Sequence, residues 1–244
     1  LAALLITGMP VSIALGLTVF SFLFAFTDIP MDSIALKLFT GIEKFEIMAI
    51  PFFILAGNFL THGGVARRMI RFASSMVGHW YGGMGLAAVL ACALFAAISG
   101  SSPATVMAVG SILIPAMVRQ GYPAQFGVGS IATAGGLGIL IPPSIVMVMY
   151  SVATSGMVVS GPNGETVMSA SIGALFMAGV IPGLMLAAML GFTTFYRAWK
   201  NGYPRMQRAS FRERWQALRE SVWGLMLIVI IMGGIYGGLF TPTE

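Results

Sequence analysis

In a chain of 244 residues, 57% are hydrophobic and 9% are charged, which leaves too few polar side chains to cover a water-soluble domain of this size. The net charge of +5 comes from basic residues gathered in three clusters between apolar runs, a pattern of membrane orientation rather than of a nucleic-acid partner. A single cysteine, Cys92, sits inside an apolar run; it excludes a disulfide framework or a cysteine-rich metal site and reads as a small buried hydrophobe. The expected fold class is an all-α integral membrane protein with several spans.

Leu1 to Phe26 is long enough to cross a bilayer, with a kink expected at Gly8 to Pro10, because proline removes a helical hydrogen bond and crowds the preceding turn. It has neither a basic leading segment nor a small-residue cleavage site, so no signal peptide is expected, and further residues are expected at both ends of the chain. Thr27 to Glu46 mixes Asp28, Asp32, Lys37, Glu43, Lys44 and Glu46 with apolar residues and reads as a short interfacial segment. Ile47 to Leu60, with Phe45 included, crosses if it tilts or the bilayer thins, and Asn58 near its end is expected to face protein. Thr61 to Tyr81 carries Arg67, Arg68 and Arg71 at helical spacing, with Val65, Met69, Ile70 and Phe72 as an apolar stripe. This predicts a helix along the membrane surface. His62 and His79 lie in the same polar segment, far in sequence from any acidic cluster that would complete a metal or catalytic set, and read as surface histidines.

The next stretch organises the chain. Ser99-Gly100-Ser101-Ser102-Pro103-Ala104-Thr105 is a polar knot between two apolar arms, Leu86 to Ile98 and Val106 to Val118. Neither arm reaches the roughly 20 residues of a full crossing, which favours a re-entrant pair of half-helices turning at the polar tip. Non-helical backbone at membrane depth needs protein or a water-filled cavity to satisfy it, so such a tip suggests a binding site. A second interruption, Gly135 to Ser144 with Pro142 and Pro143, breaks the apolar run from Phe126 to Ala153. Two interruptions in one hydrophobic domain point to a transporter.

Beyond the break lie a turn-rich polar stretch from Gly156 to Ser169, a span from Ser171 to Phe195, a basic segment from Arg197 to Arg219 and a last span from Val222 to Phe240. If Arg67 to Arg71 face the cytoplasm, a hairpin returns Arg119 to that side, the broken helix puts Glu165 outside, and the next span brings Arg197 to Arg219 back inside. Two complete crossings in place of the hairpin keep the same agreement, so charge leaves that choice open and arm length decides it. The 4 tryptophans, Trp80, Trp199, Trp215 and Trp223, fall at the predicted cytoplasmic interface, where amphipathic rings prefer to lie.

A hard cation such as sodium needs oxygens to replace its hydration shell. Ser99, Ser101, Ser102 and Thr105 supply hydroxyls, and the stretch from Gly135 to Pro142 supplies carbonyls freed from helical pairing. The start of the downstream arm, Ala104 to Met107, is expected to offer N–H groups and a positive dipole end to an anion such as a carboxylate. The competing structural reading is that these small residues let helices pack closely. Apart from the arms' ends, no acidic or basic residue lies inside either arm or the broken helix, which argues against a proton relay through carboxylates.

These residues, Ser99-Gly100-Ser101-Ser102 through Ile114-Pro115-Ala116-Met117 and Gly136-Leu137-Gly138-Ile139-Leu140-Ile141-Pro142-Pro143-Ser144, closely resemble the large membrane (M) subunit of tripartite ATP-independent periplasmic (TRAP) transporters. The resemblance runs on through Gly8-Met9-Pro10, Ile50-Pro51-Phe52-Phe53-Ile54-Leu55-Ala56-Gly57, Leu175-Phe176-Met177-Ala178-Gly179-Val180-Ile181-Pro182-Gly183 and Gly238-Leu239-Phe240-Thr241-Pro242-Thr243-Glu244, covering essentially the whole chain. It implies a secondary active transporter subunit, not an enzyme, in a bacterial or archaeal cytoplasmic (inner) membrane. Such a protein imports an organic acid, a C4-dicarboxylate, sialic acid or related carboxylate, driven by a sodium gradient. The implied partners are a periplasmic substrate-binding protein, a small membrane (Q) subunit, the lipid bilayer and a second half of the same large subunit, with no nucleic acid. The family has two inverted repeats and an elevator-type mechanism, and this chain resembles the first repeat. On that pattern, residues 1–82 form scaffold spans and a cytoplasmic interfacial arm helix, 83–170 the transport-domain hairpin, broken helix and a periplasmic insertion (Met157 to Ala170), and 171–244 further spans with a basic cytoplasmic loop. Position by position, the resemblance implies a sodium site at Ser99, Ser101, Ser102, Gly136, Gly138 and Pro142, with weaker substrate contacts at Thr105, Pro143 and Ser144.

Three other readings compete. A proton-coupled or exchange transporter of the same broad architecture is disfavoured by the lack of buried carboxylates. An intramembrane serine protease using Ser101 or Ser102 needs a general base within reach, and both histidines lie in a surface segment. A purely structural subunit predicts a hairpin tip that tolerates bulky residues.

Overall fold

The computed structural model describes residues 1–155, 159–160, 166–167, 171–239 and 241, which fall into two compact units, Leu1–Lys44 and Phe45–Glu244. Both are helical. The first unit holds α1 (Ala2–Ile6), α2 (Val11–Phe26) and α3 (Met31–Ile42). Here the chain departs from the single kinked span expected for Leu1 to Phe26. Gly8 turns left-handed at φ 80° and Pro10 enters α2 in an extended conformation with ψ 137°, so the backbone leaves the helix between α1 and α2 instead of bending within it. Among the residues of α2 only Ala14 is buried.

In the second unit, a 3-10 turn at Phe45–Met48 leads into α4 (Ala49–His62), α5 (Val65–Val77), α6 (Gly83–Ser99), α7 (Ser102–Arg119), α8 (Ala124–Gly135), α9 (Leu137–Leu140), α10 (Ile145–Thr154), α11 (Ile172–Lys200) and α12 (Phe211–Tyr236). Of the expected insertion, only Val159–Ser160 and Thr166–Val167 are described, as an antiparallel pair; the rest lies outside the described residues. Four helical stretches among the described residues are long and apolar enough to cross a membrane: Phe45–His62, Ser102–Arg119, Ile172–Lys200 and Phe211–Tyr236. The pair Ala124–Leu140 and Ile145–Thr154, bent by 42°, makes a fifth. The fold class is thus the expected all-α integral membrane protein with a helical hairpin (α6 and α7) and a broken helix (α8 to α10).

Helix α6 is the centre of this unit. Its Gly and Ala residues let neighbours approach closely, and Ala87, Ala91, Cys92, Phe95 and Ala96 are all 0% exposed. Helix α5 is the amphipathic helix the sequence predicts, but its apolar stripe of Ala66, Met69, Ile70 and Ala73 is buried in the protein core rather than left for lipid. Helix α12 closes over it: Ser221 Oγ donates to the Arg68 carbonyl at 2.9 Å, and Arg71 donates to Glu220 at 2.6 Å. Helix α12 also starts earlier than the expected span at Val222, inside the basic segment. Ser210 and Glu213 form a reciprocal capping box there and satisfy two first-turn donors. Asn58, expected to face protein, is exposed; it is Gly57 on α4 that is buried.

The connection between α11 and α12 is strapped to two other turns. Met206 donates its N–H to the Gly78 carbonyl at 3.1 Å, and the Tyr122 hydroxyl donates to the Pro204 carbonyl at 2.6 Å. Burial pushes the Tyr122 phenol above its ordinary pKa, which keeps it a donor.

Candidate functional site

Each polar element expected at the hairpin tip is positioned by a local rule. Helix α6 ends because Gly100 adopts φ +60°, the left-handed terminator for which glycine carries no side-chain penalty. A Cβ at Gly100 would lie 2.7 Å from the Pro143 carbonyl oxygen, so space as well as conformation requires glycine. Helix α7 then begins at Ser102, with Ser101 as cap accepting from Ala104 N–H at 3.5 Å and Pro103 in the first turn. The tip is therefore only Gly100 and Ser101, and the arms run 17 and 18 residues, longer than the Leu86 to Ile98 and Val106 to Val118 expected from apolar runs. Helix α7 alone is long enough to cross, so arm length no longer separates a re-entrant hairpin from two short spans.

The earlier start of α7 also changes its chemistry. Ala104 and Thr105 were expected to present free N–H groups to an anion. Instead Ala104 donates to the Ser101 hydroxyl and Thr105 to the Ser101 carbonyl at 3.1 Å. The hydroxyls make the stronger feature. Ser99 and Thr105 are both 0% exposed, with their oxygens 3.1 Å apart, and Thr105 Oγ1 donates to the Ser101 carbonyl at 2.8 Å. Three oxygens from Ser99, Thr105 and Ser101 thus gather in a buried place, and among the described residues no charged group is bonded to them.

The broken helix seats this tip. Ile145 N–H, at the start of α10, donates to the Gly100 carbonyl at 3.1 Å. A Cβ at Gly138 would stand 2.9 Å from the backbone of both Ser101 and Ser102, so only glycine lets α9 lie this close. Pro142 and Pro143, joined by a cis peptide bond, are buried. Ser144 is 0% exposed, and its hydroxyl donates to the Ile139 carbonyl at 2.7 Å, closing the break on itself.

Of the residues singled out in the sequence, Ser99, Ser101, Ser102, Thr105, Gly138, Pro143 and Ser144 meet at this junction. Gly136 and Pro142 belong to the break, and no hydrogen bond joins either to the hydroxyl cluster among the described residues. Thr105 and Ser144, considered as substrate contacts, have their hydroxyls committed internally in this conformation. Three contacts go beyond the expected set: Gly57, where an added Cβ would lie 3.4 Å from Ser99 Cβ, Gly100 as a close-approach residue, and Ile145 through its N–H. The Ala56-Gly57 pair within an apolar run is the one sequence signal that pointed to the first of these. Among the described residues no group of three His, Cys, Asp or Glu side chains is placed to hold a metal ion.

The donors fit a hard monovalent cation in kind. Hydroxyl and carbonyl oxygens suit sodium, and a hydroxyl donating one hydrogen bond keeps lone pairs for an ion.

The whole chain, residues 1–244, matches the family described as "Tripartite ATP-independent periplasmic transporter, DctM component". It is 73% identical over 244 residues to a C4-dicarboxylate TRAP transporter large permease protein of Rhodobacter capsulatus, covering 100% of this chain and 56% of that protein. A protein of the same description from Pseudomonas aeruginosa is 53% identical over 231 residues, 95% of this chain and 51% of the relative. An isethionate TRAP transporter permease protein of Oleidesulfovibrio alaskensis is 43% identical over 247 residues, 100% of this chain and 36% of the relative. The chain spans about half the length, or less, of these curated relatives. With the hairpin and broken helix expected of the resemblance in place and the match running from end to end, this chain belongs to the DctM component family of tripartite ATP-independent periplasmic transporters.

Proposed function

We propose that the chain is the first half of a large permease that imports an organic acid across a bacterial or archaeal inner membrane, driven by a sodium gradient. A C4-dicarboxylate is the favoured substrate class, since the relatives at 73% and 53% identity carry that description. A periplasmic binding protein delivers the acid, a small membrane subunit frames the permease, and the second half completes the substrate site. The observation that best supports this reading is the buried junction of hairpin tip and broken helix, where the Ser99 and Thr105 hydroxyls and the Ser101 carbonyl gather.

In this reading sodium takes its oxygens from Ser99, Ser101 and Thr105, with Ser102, Gly136, Gly138 and Pro142 adding backbone groups after a small adjustment. Pro143 and Ser144 border the substrate. Ion and tip are coupled because Gly100 and Ile145 tie α6 to α10: a cation that orders the oxygens also fixes the angle between hairpin and broken helix. The hairpin then dips into the bilayer and returns, and moves with α8 to α10 as an elevator against the remaining helices.

The test is uptake of a radiolabelled C4-dicarboxylate by the full-length permease, with its small subunit and binding protein, in liposomes under an inward sodium gradient or a potassium or proton gradient. Uptake that needs sodium and falls in Ser99→Ala, which removes a hydroxyl of the cluster, supports the proposal. Uptake indifferent to sodium but driven by protons rejects it and installs the proton-coupled alternative.

A further inference from the structure

A cavity of about 690 Å³ opens at the start of α6, between the turn that precedes that helix and the second half of α11. Its walls include Trp80, Tyr81, Leu86, Gly191, Phe195 and Arg205, with no carboxylate among them. Polarity is graded along it. Leu86, Ala188 and Gly191 form the apolar end. One turn on, Phe195 meets Trp80 and Tyr81 edge to face, each with ring centroids 6.3 Å apart. At the far end the Arg205 guanidinium lies 3.2 Å from the centroid of the Tyr81 ring, and Arg205 has no ion pair among the described residues.

We propose that this cavity holds a phospholipid with an anionic headgroup, one acyl chain lying over Gly191 and Leu86 and the phosphate at Arg205. Two features select this occupant. The cavity opens beside the exposed face of a 29-residue apolar helix, where Leu184, Met185, Met189 and Phe192 are 60–69% exposed. The polar end carries unbalanced positive charge: between Arg197 and Arg212 the sequence contains Lys200, Arg205 and Arg208 and no acidic residue. Basic pockets between membrane helices hold anionic headgroups, and an aromatic collar suits the depth where headgroup meets hydrocarbon. Stacking on Tyr81 fixes the guanidinium while leaving N–H donors at its edge for phosphate oxygens.

Native mass spectrometry of the full-length permease tests this, using dioleoyl-phosphatidylglycerol and dioleoyl-phosphatidylcholine, which differ in the headgroup alone. The wild type should retain phosphatidylglycerol preferentially, and Arg205→Ala should lower that retention about fivefold, the effect of one basic residue at an anionic surface. Arg205→Lys should keep most of it. Gly191→Leu should displace the lipid without changing charge, since Gly191 lines the cavity and a Cβ there meets only Leu86 Cδ2, at 3.9 Å. Arg119→Ala, exposed and outside the cavity, should leave retention unchanged. Equal retention of the two lipids by the wild type overturns the proposal. So does an Arg119→Ala loss equal to that of Arg205→Ala, or a photo-cross-linker at position 192 that captures a protein in place of lipid.

Discussion

Helices α2 and α6 are almost equally apolar and of nearly equal length, 16 and 17 residues, yet α6 buries fourteen of its residues and α2 only Ala14. The difference lies in side-chain size and position. Helix α6 is built largely of Gly and Ala around Phe95, so that α5, α7, α8, α9 and α11 all reach it. Helix α2 carries Phe20, Phe22, Phe24 and Phe26, and the last three are 57%, 63% and 77% exposed. Within a bilayer, hydrophobicity does not divide inside from outside; packing by small residues does. The candidate site sits at the end of the helix around which the others pack.

Substitutions that remove packing separate the two helices most sharply. Phe95→Ala empties a fully buried site and should cost about 3 kcal/mol or more, read as a large drop in the thermal midpoint of the full-length permease in detergent. Phe24→Ala should stay within about 0.5 kcal/mol; equal losses for the two would erase the distinction. Adding a methyl group should give opposite signs. Gly138→Ala drives a Cβ to 2.9 Å from the hairpin backbone and should destabilise by about 1–3 kcal/mol. Gly16→Ala in α2, with nothing within 4 Å, should stabilise by up to about 1 kcal/mol through helix propensity. Removing a hydroxyl from the packed end is gentler: Ser99→Ala loses the partner of Thr105 and should cost about 1 kcal/mol. The smallest effect belongs to the Arg71–Glu220 ion pair, whose Arg71 side chain is 65% exposed. Arg71→Ala should leave the midpoint unchanged within error in high salt, where a screened surface pair contributes nothing measurable.

The same contrast explains what could be read from the residues alone. Breaks and turns are local, written in Gly100, Pro103, Pro142 and Pro143, and the hairpin and broken helix stand where these residues place them. Starts of helices were harder. Apolar runs mark where hydrophobic side chains begin, whereas α7 and α12 start where Ser101 and Ser210 cap them, inside polar sequence. The membrane-surface reading of α5 shows the same limit: its stripe has the right period, but periodicity does not say whether lipid or another helix covers it. At the site, the serine and threonine hydroxyls lie within seven consecutive residues, Ser99 to Thr105, and were legible. The Gly57 approach to Ser99 and the bond from Ile145 to Gly100 join positions more than forty residues apart, and no local pattern records them.

The most direct measurement of the central claim is the thermal midpoint of the purified full-length permease as sodium replaces choline at constant ionic strength. A cation held by the folded protein raises that midpoint as its concentration passes the dissociation constant. The wild type should rise with sodium, while Ser99→Ala, folded but lacking one oxygen, should rise much less. A wild-type midpoint that ignores sodium, or an undiminished response in Ser99→Ala, would contradict a sodium site at the junction of hairpin and broken helix.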